Sequence, residues 1–169
     1  MTVGATRWTT DKLWSDRFIP EIRQLIGPEL ITEAPAEEDA LRNTDLITLK
    51  MDSYRIGCRV RHPEDYKKYR HQFTLRSTRP SGAKTELAKV IEGWGDYFFY
   101  GWSDDAEVGL QDWLLGDLKV FRLAFATALH LNAPFWHIVP NDDGSSQFHA
   151  FDIDKLPKAF IRGRSPVMP

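Results

Sequence analysis

Residues 54–61, YRIGCRVR, alternate between two classes of side chain. Tyr54, Ile56, Cys58 and Val60 occupy one set of positions, while arginine and glycine occupy the other. Because successive side chains of a β-strand point to opposite faces of a sheet, this pattern predicts a strand with one core-facing side and one arginine-lined side. We expect the arginine-lined side to face solvent, since charged side chains are rarely buried without a partner.

Strand-like segments lie on both sides of this run. Residues 45–51 precede it, and Asp52-Ser53 in between predicts a hairpin turn. Residues 71–77, HQFTLRS, follow a polar and aromatic excursion and form a predicted third strand. A fourth, strongly aromatic strand is predicted at 96–102, DYFFYGW, where we expect burial on both faces.

The helical spacing of apolar residues identifies three helices. The first covers residues 10–26, and Pro20 is expected to kink or restart it. The second covers residues 83–93. The third covers residues 117–131, where apolar side chains lie nearly all round and Asp117 is the expected N-cap, so that a buried helix is predicted. The segments FWHIV and QFHAF flank PNDDGSS, which predicts a hairpin near the C-terminus.

The order of these elements is helix, three strands, helix, strand, and then a helix and a hairpin. Runs of neighbouring strands with helices between them favour an α/β or α+β fold, with a central mixed sheet of about four strands and flanking helices. The length of 169 residues fits a single domain over 1–169. We expect its core over about 8–131, the terminal hairpin over about 134–152 and a loose tail over 160–169.

The composition limits the classes of protein to which this chain can belong. Cys58 is the only cysteine, which excludes an internal disulfide and four-ligand cysteine zinc sites and favours a reducing compartment. The first residues lack the apolar core of a signal peptide, and the chain has no run of ~20 apolar residues. We therefore expect a cytoplasmic protein without a membrane partner. The sequence leaves the oligomeric state open.

The formal net charge of −2 hides an uneven distribution along the chain. Residues 54–90 are mostly basic among their charged positions, and residues 91–120 are mostly acidic. A basic surface of this kind can bind a phosphate backbone or an acidic protein, and the alternative is that the two blocks pair with each other. The predicted nucleic-acid contacts are Arg55, Arg59, Arg61, Lys67, Lys68, Arg76 and Arg79.

The segments YRIGCRVR, HQFTLRS and SGAKTELAKVIEGWGDYFFYGW together resemble a family of proteins encoded by phages and prophages. This resemblance covers about residues 8–125 and implies the cytosol of a host cell. More distantly, the order helix, three strands, helix and strand is similar to the core of the PD-(D/E)XK nuclease-like superfamily. That second resemblance implies cleavage of a phosphodiester bond with the help of Mg²⁺.

On the nuclease resemblance, Asp45 matches the acid that ends a core strand, and Glu21 matches an acid that some members carry on the first helix. Arg59 and Arg61 fall where the motif has glutamate and lysine. A guanidinium stays protonated and cannot ligate a metal, so Arg59 cannot replace the glutamate. Arg61 can replace the lysine as a stabiliser of developing charge.

Acids elsewhere in the chain could supply the missing metal ligands. The candidate ligands of Mg²⁺ are Asp45, Glu38 and Asp39, and Glu86 begins the second predicted helix. The catalytic set implied by the resemblance is then Asp45, Glu86 and Arg61. The alternative is that these acids are solvated loop residues and that Asp45 caps a turn.

Two functions of different classes follow. The first is a phage-type nuclease-like protein that acts on or binds nucleic acid through an arginine-lined sheet, with Mg²⁺-dependent phosphodiester cleavage. The second is a catalytically inactive phage-encoded binding protein that inhibits or remodels a host defence protein or a nucleic-acid-processing protein.

Two smaller features also bear on chemistry. His137 and His149 would face each other if the hairpin turned about Asp143, and two imidazoles could bind a transition metal; a cross-strand pair without metal is the commoner outcome. Cys58 lies on the predicted core-facing side of its strand, so we expect a buried and inert thiol.

Overall fold

The structure, a computed structural model, describes residues 7–33, 46–48, 54–141 and 143–166. The helices in these residues are α1 (Arg7–Asp16), α2 (Ile19–Leu30), α3 (Pro63–Tyr69), α4 (Glu86–Ile91) and α5 (Leu118–His130). The strands are β1 (Ile31–Glu33), β2 (Leu46–Thr48), β3 (Ile56–Arg61), β4 (Gln72–Thr78), β5 (Tyr97–Ser103), β6 (Leu110–Asp117), β7 (Trp136–Pro140), β8 (Gln147–Asp152) and β9 (Ile161–Arg164).

A mixed four-stranded sheet lies at the centre of the fold, with the strand order β3-β5-β6-β9. Strands β3 and β5 run parallel, whereas β5 with β6 and β6 with β9 run antiparallel. Helices flank this sheet. The predicted α+β class with a mixed sheet of four strands is therefore confirmed.

A second, three-stranded antiparallel sheet has the order β4-β8-β7. Strands β7 and β8 form the predicted C-terminal hairpin, which is confirmed, and β8 pairs with β4 on its other side. The short strands β1 and β2 form a separate antiparallel pair. The chain thus builds two sheets from strands that alternate between them along the sequence.

Strand β5 supplies side chains to the cores on both faces of the four-stranded sheet. Phe98, Tyr100 and Trp102 pack on the face toward the second sheet and α5, while Phe99 packs on the opposite face with Phe18 from the segment between α1 and α2. All residues of β5 after Tyr97 are buried. The prediction of a central aromatic strand buried on both faces is confirmed.

Helix α5 begins as the sequence predicts. The carboxylate of Asp117 accepts hydrogen bonds from the backbone N–H groups of Lys119 (2.8 Å) and Val120 (3.2 Å), which satisfies donors that the first helical turn leaves free. The expectation of burial all round is wrong, because Leu123 is 71% exposed and Leu129 is 58% exposed. The helix buries only the side that carries residues such as Phe121.

Two predictions about how the strands pair need correction. The predicted hairpin between 45–51 and 54–61 does not form in the described residues, since β2 pairs with β1 instead. The predicted third strand exists as β4, but it belongs to the second sheet. Helix α3 carries the chain from one sheet to the other, so that neighbouring strands in the sequence are separated in space.

The C-terminal segment is ordered further than the sequence predicts. A loose tail from residue 160 is wrong for residues 161–164, because β9 pairs with β6. Phe160 is fully buried just before this strand, and its ring lies so close to Gly116 that a Cβ there would be 2.3 Å from the ring. The glycine on β6 therefore makes room for the ring that anchors β9.

Among the helices in the described part of the chain, none combines the length and the apolar character that crossing a membrane requires.

Candidate cationic site

Strand β3 places Arg59 and Arg61 on the same face of the four-stranded sheet, as the alternation predicts. Their register partners on β5 are Tyr100 and Trp102, whose side chains point toward the second sheet. This face is covered rather than open to solvent, and both arginines are only partly exposed. The expectation of a solvent-facing row of guanidiniums on β3 is therefore wrong.

The guanidinium of Arg59 connects β3 with β4 and with α4. Nη1 donates to the backbone oxygen of Thr74 (2.8 Å) and to its hydroxyl (3.2 Å) on β4, and Nη2 donates to Oε2 of Glu86 (2.7 Å) on α4. The side chains of Arg59 and Glu86 are 23% and 29% exposed. Because the pair is largely shielded from water, its charge-assisted hydrogen bond adds to the Coulomb attraction between the two groups.

The other two arginines near β3 have acidic partners of their own. Arg61 Nη2 lies 2.8 Å from Asp65 Oδ2, one helical turn further along the chain. Arg55 precedes the strand and pairs with Asp96, which also accepts a 2.8 Å hydrogen bond from the Arg55 backbone N–H. Of these two pairs, only that of Arg55 and Asp96 joins the basic segment 54–90 to the acidic segment 91–120, as the alternative interpretation of the charge distribution predicts, because Asp65 belongs to the basic segment itself.

Glu86 is positioned by the start of helix α4. Thr85 caps this helix, since its hydroxyl accepts a hydrogen bond from the backbone N–H of Ala88 at 3.2 Å. From the first turn, Oε2 of Glu86 accepts from Arg59 and from the backbone N–H of Arg76 (3.1 Å). The carboxylate that the sequence offers as a catalytic acid thus serves as the acceptor for two groups on different strands.

Arg76 and Arg79 bring further positive charge to the neighbourhood of Glu86. Burial lowers the pKa of Arg76, and the charges of Arg79 and Arg59 lower it further, so that both of these guanidiniums lie within electrostatic reach of Arg76. Glu86 and Asp143 act in the opposite direction. We call Arg59, Arg76 and Arg79 the arginine cluster.

An aromatic ring supports the arginine cluster from the second sheet. The guanidinium carbon of Arg76 lies 5.0 Å from the ring centroid of Phe148 on β8, within the range of a cation–π contact. Arg79 follows β4 and is exposed. Of the cluster, Arg79 is therefore exposed, while Arg76 is partly exposed and its guanidinium lies over a ring.

Lys67 and Lys68 lie exposed on helix α3. The ammonium of Lys68 is 4.9 Å from the ring centroid of Tyr69, and a hydrogen bond with that side chain raises the pKa of Lys68. These lysines are on a surface helix rather than on the sheet face that holds Arg59.

Three of the predicted metal ligands, Glu38, Asp39 and Asp45, lie outside the described residues. Within the described ranges, no group of three or more histidine, cysteine, aspartate and glutamate side chains is placed to hold a metal ion.

Glu21, on α2, accepts a 3.3 Å hydrogen bond from the backbone N–H of Leu110. The structure thus gives Glu21 a contact with the start of β6.

A cluster that the sequence did not reveal surrounds Glu107. Its carboxylate accepts hydrogen bonds from Trp14 Nε1 (3.1 Å), Arg17 Nη2 (3.1 Å) and His62 Nδ1 (2.7 Å), and the Trp14 and His62 rings lie 3.9 Å apart. Glu107 adopts a φ of 53°, a backbone conformation that costs energy for a residue with a Cβ. Its partners are 45 to 93 residues away in the chain, so that no local pattern could have shown this cluster.

The cluster around Glu107 predicts a specific dependence of stability on pH. The pKa of Glu107 lies below its ordinary value of 4.5, because the hydrogen bonds from His62 and Trp14 favour the charged carboxylate. A carboxyl with a lowered pKa stabilises the fold fully above its unfolded pKa and loses this contribution as the pH falls through its folded pKa. Between about pH 5 and about pH 3, we expect the melting temperature of the Glu107→Gln variant to fall by less than that of the unmodified protein.

Glu64→Gln, which removes an exposed acid of helix α3, is the control for the loss of one charge. Melting temperatures are measured at several pH values for both variants. An equal change in their dependence on pH would contradict the role of Glu107.

The predictions for the remaining histidines and for Cys58 need correction. His149 pairs with Ile138, and His137 pairs with Ala150, so the two imidazoles do not face each other. Cys58 is exposed, because β3 lies at the edge of its sheet. Partial desolvation of the thiol still raises its pKa, which makes it a weak nucleophile near neutral pH.

A comparison of this chain with known protein families, with curated proteins and with solved structures finds no match.

Proposed function

We propose that this protein binds the phosphate backbone of nucleic acid through the arginine cluster. The observation that carries the proposal is the position of Arg59 and Arg76 beside Glu86, with Arg79 close enough to Arg76 for its charge to lower the pKa of Arg76. An anion near these groups would relieve the repulsion between their like charges. Phosphate oxygens suit guanidinium groups because they accept paired hydrogen bonds in a matching geometry.

The proposal also rests on how firmly the cluster is held. Arg59 is fixed by Thr74 and Glu86, and Arg76 is fixed by its backbone hydrogen bond to Glu86 and by the ring of Phe148. Side chains that are already ordered lose less conformational entropy when a ligand binds. The guanidiniums of Arg55, Arg59 and Arg61 have carboxylate partners. We therefore assign the phosphate contacts to Arg76 and Arg79, and Arg59 supports the cluster through its bond to Glu86.

Cleavage of the bound strand is the finer part of the proposal. It would need Mg²⁺ held by acids such as Asp45, Glu38 and Asp39, because Glu86 is already bonded to Arg59. If cleavage occurs, we expect it to require Mg²⁺ or Mn²⁺ and to vanish in Asp45→Ala. Binding without cleavage would match the second function drawn from the sequence, a catalytically inactive binding protein.

Loss of the two more accessible arginines should weaken nucleic-acid binding. We expect the double variant Arg76→Gln and Arg79→Gln to bind a fluorescently labelled single strand roughly tenfold or more weakly at low salt, since each phosphate contact adds a sequence-independent term. Fluorescence anisotropy with DNA and RNA strands measures this effect.

The matched control removes two exposed arginines elsewhere, Arg23 on α2 and Arg162 on β9, and so changes the net charge by the same amount. Equal loss of affinity in the two double variants would show that binding follows total charge, and it would overturn the assignment of the site. Absence of binding by the unmodified protein to either kind of strand would overturn the proposal itself.

A further inference from the structure

A small recess with a volume of about 30 Å³ lies on the side of the four-stranded sheet that carries Trp102. Its floor is formed by Trp102 on β5 and by apolar side chains of β6 and β9, and it is partly open to solvent. The arginine cluster contributes no residue to its lining. The polar residues that line it are Arg70, His71, Trp102, Asp112, Asp154 and Arg164.

The strand register explains why these residues meet. Trp102 on β5 pairs with Asp112 on β6, and the neighbouring Leu114 pairs with Arg164 on β9. These residues therefore form adjacent rows on one face of the sheet. Arg70 and His71 follow helix α3 and approach the same recess from its rim.

Trp102, which lines the recess, carries a hydrogen-bond donor without an acceptor in the described ranges. Trp102 is 1% exposed, and its Nε1 has no hydrogen-bond partner among the residues that the structure describes. Buried N–H groups are nearly always paired, with the protein, with ordered water or with a ligand. We therefore expect an oxygen atom from outside the protein, bound in the recess, to be the acceptor for this donor.

The carboxylates of the recess are already engaged. Asp112 accepts hydrogen bonds from the Trp113 backbone N–H (2.8 Å) and from the Ser165 hydroxyl. At the rim, Arg70 Nε donates to His71 Nε2 (3.1 Å), which leaves His71 Nδ1 to donate to Asp154 (3.2 Å). One oxygen of each of these two carboxylates is thus used within the protein.

Several donors remain available. Within the described part of the chain, the guanidinium of Arg164 and the Nη groups of Arg70 have no hydrogen bond or ion pair. Together with Trp102 Nε1, they are the available donors of the residues that line the recess. A ligand that fits must offer several acceptors and carry negative charge.

We propose that this recess binds a phosphate group, either as free phosphate or as a phosphomonoester such as a nucleotide. A tetrahedral phosphate offers acceptor oxygens in several directions, so that one oxygen reaches Trp102 Nε1 while others accept from Arg70 and Arg164. The site is separate from the arginine cluster, and its occupation does not depend on the binding of a nucleic-acid strand.

The six tryptophans give a direct readout of binding, since each contributes one indole N–H signal in a ¹⁵N-resolved NMR spectrum. Trp102→Phe identifies the Trp102 signal, and if that variant does not fold, conventional backbone and side-chain assignment of the unmodified protein identifies it. The full chain is titrated with sodium phosphate, with a nucleoside 5′-monophosphate and, at matched ionic strength, with sodium chloride. We expect the Trp102 signal to move and saturate with one or both phosphate compounds and to stay in place with chloride.

Arg164→Gln and Arg162→Gln form a matched pair on strand β9. Arg164 lines the recess, whereas the charge of Arg162 reaches Tyr97, which packs on the opposite side of the sheet. We expect Arg164→Gln to weaken phosphate binding at least about tenfold and Arg162→Gln to leave it unchanged.

The titrations also distinguish the two sources of phosphate. Saturation with the monophosphate alone assigns the site to an ester, and saturation with inorganic phosphate assigns it to the free anion. A Trp102 signal that stays in place with both compounds, or equal effects of the two arginine variants, would overturn the proposal and leave the recess to ordered water.

Discussion

Alanine in place of Phe73 is expected to lower the free energy of unfolding by about 3–5 kcal/mol, because the change leaves a cavity where two sheets and helix α5 meet. Phe73 is fully buried on β4. The rings in contact with it, at centroid distances of 5.2 to 6.3 Å, belong to Phe98, Tyr100, Phe121, Phe151 and Phe160. These partners come from strands of both sheets, from α5 and from the segment before β9, so that one substitution weakens packing across the whole fold.

Urea unfolding followed by tryptophan fluorescence measures this loss. Leu123→Ala is the control, because Leu123 is 71% exposed on the outer side of α5 and should change the free energy of unfolding by no more than about 0.5 kcal/mol. A similar cost for the two substitutions would show that Phe73 is not at the centre of the packing.

The second large effect is expected at Glu86. Glu86→Ala should lower the free energy of unfolding by about 1.5–3 kcal/mol, because it leaves the guanidinium of Arg59 and the backbone N–H of Arg76 without their acceptor. Glu86→Gln keeps an oxygen acceptor and should cost less. Both variants remove the negative charge that lies beside the arginine cluster. We therefore expect each variant to bind nucleic acid more tightly than the unmodified protein, although each is less stable.

Glu92→Ala is the matched control for Glu86→Ala. Glu92 follows the same helix, α4, and pairs with Lys84, but these side chains are 46% and 50% exposed. Exposed ion pairs contribute at most about 1 kcal/mol, so the control should be close to neutral. Equal destabilisation by the two alanine variants would contradict a special role of the Arg59–Glu86 pair.

Much of the local structure could be predicted from the sequence because it is determined by residues that are close together in the chain. The N-cap Asp117, the aromatic strand at 97–103 and the hairpin of β7 and β8 each carry their own signal. Pro20 also acts as expected, since the helical segment divides and α2 begins at Ile19. In each case, the residues that determine the element are its own members or its immediate neighbours.

The pairing of strands could not be predicted, because it depends on contacts between distant segments. Strand β4 looks like the neighbour of β3 but pairs with β8, more than 60 residues further along the chain. Strand β6 was not predicted, because residues 110–117 entered the prediction only as part of the acidic segment 91–120. Strand β9 was missed because its anchor, Phe160, is buried against Gly116 by tertiary packing alone.

The candidate site shows the same division between local and distant information. Alternation correctly places Arg59 and Arg61 on one face of β3. The pairing of Arg61 with Asp65 has a separation typical of one helical turn and was visible in principle. The pairing of Arg59 with Glu86 spans 27 residues and joins two elements, so no local pattern in the sequence indicates it. The sequence therefore predicted a row of solvent-facing guanidiniums, whereas in the structure Arg59 is bonded to a carboxylate.

The dependence of nucleic-acid binding on salt tests the central claim most directly. For a protein that binds through phosphate contacts, the logarithm of the binding constant falls linearly with the logarithm of the salt concentration, by roughly 0.7–0.9 per contact. We expect a clear negative slope for the unmodified protein and a slope that is shallower by roughly one to two in the Arg76→Gln and Arg79→Gln double variant. A slope that is the same in both proteins would show that the arginine cluster does not contact phosphate.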